Sequence, residues 1–187
     1  MSNSKEDKDS KIKLLIDELR VTFTSIQTTD NSLEEKASAL FGFSAILITI
    51  IIYTLDSILS SKALLPNMPH FLNQQFQLIF LIFIIINIGV IIGGLMYLIR
   101  VIRPRDYTYP FTDDPNEISK KLDMSYEELE YELIEDYRDT IPHHKCITFK
   151  KEFFLTKALN WLYFGIIMSF LIMVSLIYLK IAGGFYG

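Results

Sequence analysis

His143, His144 and Cys146 are the densest group of potential metal ligands in this chain. Imidazole and thiolate both bind zinc, but a structural site commonly needs four such groups at spaced positions. No second pair of the Cys-x-x-Cys kind accompanies them, so the group reads as a solvated loop between two helices, with no metal. A second candidate is the acidic run Glu127, Glu128, Glu130, Glu132, Glu135, Asp136 and Asp139, offset only by Arg138. Paired carboxylates carry out acid–base chemistry when a pocket and a partner hold them. Without a pocket such a run is a solvated helix face. The alternative is pairing with Lys150, Lys151 and the N-terminal lysines, within the chain or between copies. The third candidate is Arg103, Arg105, Tyr107, Tyr109 and Phe111. Rings stack on bases and arginines grip phosphates, so this segment is the one place suited to a nucleotide. As an interfacial aromatic belt with a helix stop it has an equally simple structural role. The chain contains no nucleophile–base set, no Gly-rich phosphate loop and no zincin-type helix. These absences argue against an enzyme, and no cofactor is implied.

The elements that would position these residues are dominated by three apolar runs, Ala37–Leu55, Phe76–Ile99 and Ala158–Leu179. None contains Asp, Glu, Lys, Arg or His. About 20 apolar residues cross a hydrocarbon core of about 30 Å. The expected fold is therefore an all-α integral membrane protein with three transmembrane helices, a hairpin plus one. N-terminal and central cytoplasmic helices complete it. The net charge of −4 leaves no basic footprint for a nucleic-acid polymer. The single cysteine excludes an intrachain disulfide and suits a reducing compartment.

Lysine and arginine flank the runs unevenly. Lys5, Lys8, Lys11, Lys13, Arg20 and Lys36 precede the first. Only Lys62 lies between the first two. Arg100, Arg103 and Arg105 follow the second, and Lys145, Lys150, Lys151 and Lys157 precede the third. Positive residues stay inside. The chain is thus expected in the inner membrane with its N-terminus cytoplasmic and its C-terminus extracytoplasmic. The polar start lacks the short basic and apolar pattern of a cleaved signal, so the first run reads as an uncleaved anchor. Tyr53, Tyr97, Trp161 and Tyr163 fall near run ends, where aromatic rings favour the interface.

Four regions follow. Residues 1–31 form a cytoplasmic tail, polar and disordered over Met1–Ser10, and an amphipathic helix. That helix carries Ile12, Leu15, Ile16, Leu19, Phe23 and Ile26 at helical spacing. Thr28-Thr29-Asp30-Asn31 is expected to break it, and Ser32-x-x-Glu35 to cap a new one. Residues 32–100 form the hairpin, turning at Pro66 and Pro69. Residues 101–157 form a cytoplasmic segment. In it, Asp106–Asp114 is extended and a helix from about Tyr126 to Asp139 is capped by Ser125-x-x-Glu128. Pro142 ends that helix. Thr148 caps the last one, which spans the membrane within residues 158–187.

Small residues punctuate the runs: Ser38, Gly42 and Ala45 in the first, Gly89 and Gly93 in the second, Gly165 and Ser169 in the third. Small side chains let helix backbones approach closely in lipid. They serve either packing within one subunit or a self-association face. Asn87, near the middle of the second run, is expected to bridge helices, because a lone amide in hydrocarbon needs a partner.

The stretch Ser32-Leu-Glu-Glu-Lys-Ala-Ser-Ala-Leu-Phe-Gly-Phe-Ser44 enters the first run, with Lys36-Ala37 at its edge. The second run leads into Ile102-Arg-Pro-Arg105, then a helical segment and a basic approach to Ala158. This order resembles the small prokaryotic membrane effectors of nucleotide-signalled antiphage defence. These are the Pycsar-type transmembrane effectors and the related two-span SLATT-type domains. The resemblance covers roughly Ser32–Leu179 through short motifs, and the third run departs from a two-span plan. It implies a protein silent until a cyclic nucleotide or a soluble partner drives homo-oligomerisation, which then permeabilises the inner membrane. The residues themselves also fit a non-conducting anchor or scaffold that docks a cytoplasmic partner.

Overall fold

In a computed structural model, residues 2–60, 70–103 and 115–185 are described, and no strand occurs among them. The elements are α1 (Ser2–Ser60), α2 (His70–Ile102), α3 (Pro115–Leu122) and α4 (Tyr126–Phe185). Among the described residues, three helices are long and apolar enough to cross a membrane; they lie within α1, α2 and α4. The hairpin turn and the aromatic segment Asp106–Asp114 lie outside the described residues.

Two expected breaks are absent. α1 begins at Ser2 and continues through Thr28–Asn31 and past Ser32. Threonines compete with a helix by bonding to nearby backbone, but here they bond backwards onto it. Thr24 Oγ1 donates to the Arg20 carbonyl, Thr28 Oγ1 to Thr24 and Thr29 Oγ1 to Ser25, each at 2.9 Å. Asp30 is occupied by a cation on α4, so it does not cap a turn. The second correction concerns α4, which passes through Pro142 and takes in Thr148. A proline inside a helix removes one backbone bond and crowds the preceding turn, at about 3 kcal/mol. Pro142 is exposed while Tyr137, Ile141, His144 and Ile147 around it are buried. The packing of that stripe offsets the proline. Ser2–Ser10 of the expected tail and the expected loop at His143–Cys146 are thus helical.

The cap at Ser125 forms as its sequence implies. Glu128 Oε2 accepts from the Ser125 backbone N–H at 3.0 Å and from its hydroxyl at 2.8 Å. α3 was not foreseen. Its signal is Pro115 at the first helical position and Lys120 and Lys121 in the last turn.

The chain divides into two compact units. One comprises Met1–Glu34 and Arg103–Glu152, the other Glu35–Ile102 and Phe153–Gly187. In the first, polar unit, Phe23, Ile26, Tyr137 and Ile141 form the core, flanked by Leu19 and Leu133. Residues 19, 23, 26, 30 and 33 of α1 repeat at spacings of four and three. So do 137, 140, 144, 147 and 151 of α4, where the polar Thr140, His144 and Lys151 join Tyr137 and Ile147. That is the seam of two helices packed along their length. Phe23 sets its ring edge-on against Tyr137 at 5.9 Å and His144 at 5.0 Å.

In the second, apolar unit, the buried side includes Ala37, Ser44, Leu47 and Ile51 of α1. It also includes Ile84, Ile91 and Leu98 of α2, with Leu155, Ala158 and Leu162 of α4. α2 runs antiparallel to this part of α4: a Cβ at Gly93 or Gly94 would meet Trp161 or Leu162, and one at Gly165 would meet Ile91.

Candidate functional site

Two polar constellations are buried, one in each unit. In the polar unit, the Lys151 side chain is fully buried. Its Nζ donates to Asp30 Oδ2 at 2.7 Å and also to Glu34 Oε1. α1 and α4 position these groups because residues 30 and 151 are both seam positions. A charge in such a seam is held only if paired, since desolvation of each ion costs several kcal/mol. A polar pair in a helix seam also specifies register, which is the best-attested use of such groups.

From the sequence, Lys151 was one of several lysines open to pairing with the acidic run, beside the reading of that run as a solvated face. The run instead takes Lys121 and Arg138. Lys121 Nζ lies 2.8 Å from Asp136 and 3.7 Å from Glu132. Arg138 bonds Glu135 at 3.0 Å and Asp139 at 3.3 Å. The hydrogen bond to Asp136 and the two carboxylates outweigh burial and raise the Lys121 pKa above the ordinary lysine value. The Ser125 hydroxyl and N–H lower that of Glu128. The signal for Lys151 was its spacing of four from Ile147 and from Leu155; its charge hid it.

His144 is buried against Phe23, whereas His143 and Cys146 are exposed on the same helix. No cluster of three metal-ligating side chains occurs among the described residues.

In the apolar unit, Asn87 is fully buried on α2. Its Nδ2 donates to Ser169 Oγ at 2.7 Å, and that hydroxyl donates to the Gly165 carbonyl at 2.8 Å. Asn87, Gly165 and Ser169 thus come together as one helix-bridging node. A Cβ on Gly165 would sit 2.8 Å from Ile91 Cγ1, so the helices touch there because residue 165 has no side chain. A Cβ on Gly93 would likewise sit 3.2 Å from the Trp161 ring.

The other small residues do not join this contact. Ser38, Gly42 and Ala45 are exposed, as is Gly89. A Cβ at Gly42 or Gly89 would meet nothing within 4 Å. The small residues buried on α1 include Ala37 and Ser44 instead; the Ser44 hydroxyl donates to the Leu40 carbonyl at 2.7 Å.

Of the proposed nucleotide segment, Arg103 is exposed; Arg105, Tyr107, Tyr109 and Phe111 lie outside the described residues. Near the α2 end, Arg100 lies over the rings of Tyr97, at 5.9 Å, and Phe154, at 5.5 Å.

These features define an all-helical protein with three helices able to cross a membrane and a buried polar group in each unit. No family model, curated protein or solved structure matches the chain.

Proposed function

We propose that this chain is a multi-pass inner-membrane effector, N-terminus cytoplasmic and C-terminus extracytoplasmic. Its copies associate on a signal and perturb the bilayer. The observation that carries this reading is the unused small-residue face of α1. Ser38, Gly42 and Ala45 are spaced four and three apart, all exposed, with open space beside Gly42. In lipid such a face favours close approach of another helix. The surrounding side chains suit lipid rather than water. Ile46, Ile50, Ile52, Ile82, Phe83, Ile85 and Ile86 all lie exposed, and large exposed apolar surface marks contact with a membrane or a protein.

Asn87 spends its amide hydrogen bond on Ser169 within the chain. A standing polar path is therefore not what this reading requires; perturbation arises from assembly. The resemblance to nucleotide-signalled defence effectors supplies the proposed trigger, a cyclic nucleotide or a soluble signalling partner. Cross-linking tests the assembly. Gly42→Cys in a Cys146→Ser background is expected to give a disulfide-linked dimer in native membranes on mild oxidation, and Leu47→Cys is not. No dimer from position 42 would contradict the reading.

A non-conducting scaffold is the second reading. Its support is the exposed acidic side of α4, with Glu127, Glu135 and Asp139 facing outward, a surface a basic soluble partner would fit. Stoichiometric copurification of such a partner, with no change of membrane potential on expression, would favour it.

A further inference from the structure

Each of the three apolar runs carries a cation at the same end. Lys36 precedes the first, Arg100 follows the second and Lys157 precedes the third. All three are exposed. Two of them sit on aromatic rings where α2 meets α4 in the apolar unit. Arg100 lies over Tyr97 of its own helix and over Phe154 of α4, and those two rings stack at 6.3 Å. Phe154 meets Phe153 edge-on at 5.8 Å. Lys157 Nζ lies 5.5 Å from the centre of the Phe153 ring. Among the described residues, no carboxylate pairs with Lys157 and Lys36 lies over no ring. A ring attracts a cation without neutralising its charge. It also leaves N–H donors for an anion, and the five donors of a guanidinium serve more than one acceptor. Beside this cationic shelf the surface is apolar, with Met96 of α2 and Trp161 of α4 exposed. A ligand that fits both is anionic at its head and apolar in its body.

We propose that Arg100 and Lys157 form a binding site for an anionic phospholipid. Its headgroup lies on the Phe153–Phe154 shelf between the two cations, and its acyl chains run along Met96 and Trp161. The site rests on the reading of the three runs as membrane spans. Basic groups between such helices at the polar edge of a bilayer take phosphate headgroups. A free phosphate offers the same head without the apolar body, and the exposed apolar side chains favour the lipid.

Trp161 is the single tryptophan of the chain and lies one turn beyond Lys157, so its fluorescence reports the lipid beside the site. The full chain is reconstituted in vesicles of phosphatidylglycerol and phosphatidylcholine in equal parts. Bromine, a quencher, is carried on the acyl chains of one lipid or of the other, so that surface charge is the same in both. One cation near the surface favours an anionic lipid about fivefold. Quenching is therefore expected to show phosphatidylglycerol enriched about fivefold or more beside Trp161. Arg100→Gln and Lys157→Gln should each lower that preference, and together abolish it. Each single variant keeps the test decisive where the double variant does not fold. Lys36→Gln, which removes an equal charge at the same end but no ring-held cation, should leave the preference in place. Inorganic phosphate replacing chloride at constant ionic strength should not change it. Equal quenching by the two lipids would overturn the proposal. So would a preference that survives the double variant, one lost equally with Lys36→Gln, or one abolished by inorganic phosphate. Quenching by neither lipid would overturn the membrane reading itself, and this site with it.

Discussion

Replacing Lys151 with methionine removes a charge while keeping most of the side-chain volume. The Lys151 side chain is 0% exposed, that of Asp30 8% and that of Glu34 38%. At 2.7 Å and an effective dielectric of about 20, the Asp30 attraction is on the order of 6 kcal/mol. Desolvation of both ions opposes it, so the pair itself adds much less than that. Taking away the cation removes the Lys151 charge from the buried Asp30 carboxylate, and such removals cost about 3–5 kcal/mol. Glu34 differs because more than a third of it meets solvent. Screening and side-chain entropy bring Glu34→Gln to about 1 kcal/mol or less. Asp30→Asn falls between, since Glu34 still holds the ammonium. The double variant Asp30→Asn with Lys151→Met should be no worse than Lys151→Met alone, a coupling of about 1.5 kcal/mol or more. Unfolding of the solubilised protein in a denaturing-detergent titration gives the ranking, and amide exchange over residues 26–34 localises it. Equal losses at Glu34→Gln and Lys151→Met, or additive losses in the double variant, would refute the reasoning.

Three further outcomes are expected. Gly165→Leu should destabilise the apolar unit by about 1–3 kcal/mol through overpacking against Ile91, while Gly42→Leu leaves monomer stability unchanged within about 0.5 kcal/mol; the same titration measures both. Pro142→Ala should stabilise α4 by up to about 3 kcal/mol, read as slower amide exchange over residues 138–142. The Glu128 carboxylate, held below its ordinary range by Ser125, favours the cap above about pH 4.3 and loses it as pH falls through the depressed value. A ¹³C-carboxyl titration should place its midpoint below that of exposed glutamates, and Ser125→Ala should return it upward.

The long apolar helices were legible because each exceeds the length any core helix of a small soluble domain needs, whatever its neighbours. The Ser125 cap was legible because its hydrogen bonds are local. The continuity of α1 and α4 was not. Thr28–Asn31 and Pro142 are weak helix formers taken singly, and local propensity yields to packing along a seam. The seam itself passes through Asp30 and Lys151, whose charges disguise its four–three spacing. The small residues were visible as a set, but spacing alone does not say which side of a helix its neighbours occupy. Gly165 turned inward, while Ser38, Gly42 and Ala45 turned outward; Ser44, which was not in that set, is buried. Asn87 announced a partner by its polarity in an apolar run, and Ser169 was that partner.

The central proposal is that assembly through the outward face of α1 disturbs the membrane. The most direct measurement is membrane potential in cells, followed with a voltage-sensitive dye after induction of the unaltered chain and of Gly42→Leu at matched membrane levels. The account predicts depolarisation by the unaltered chain, which mass action favours at high expression, and a held potential with Gly42→Leu. A held potential in both cells, or equal depolarisation by both, would contradict it.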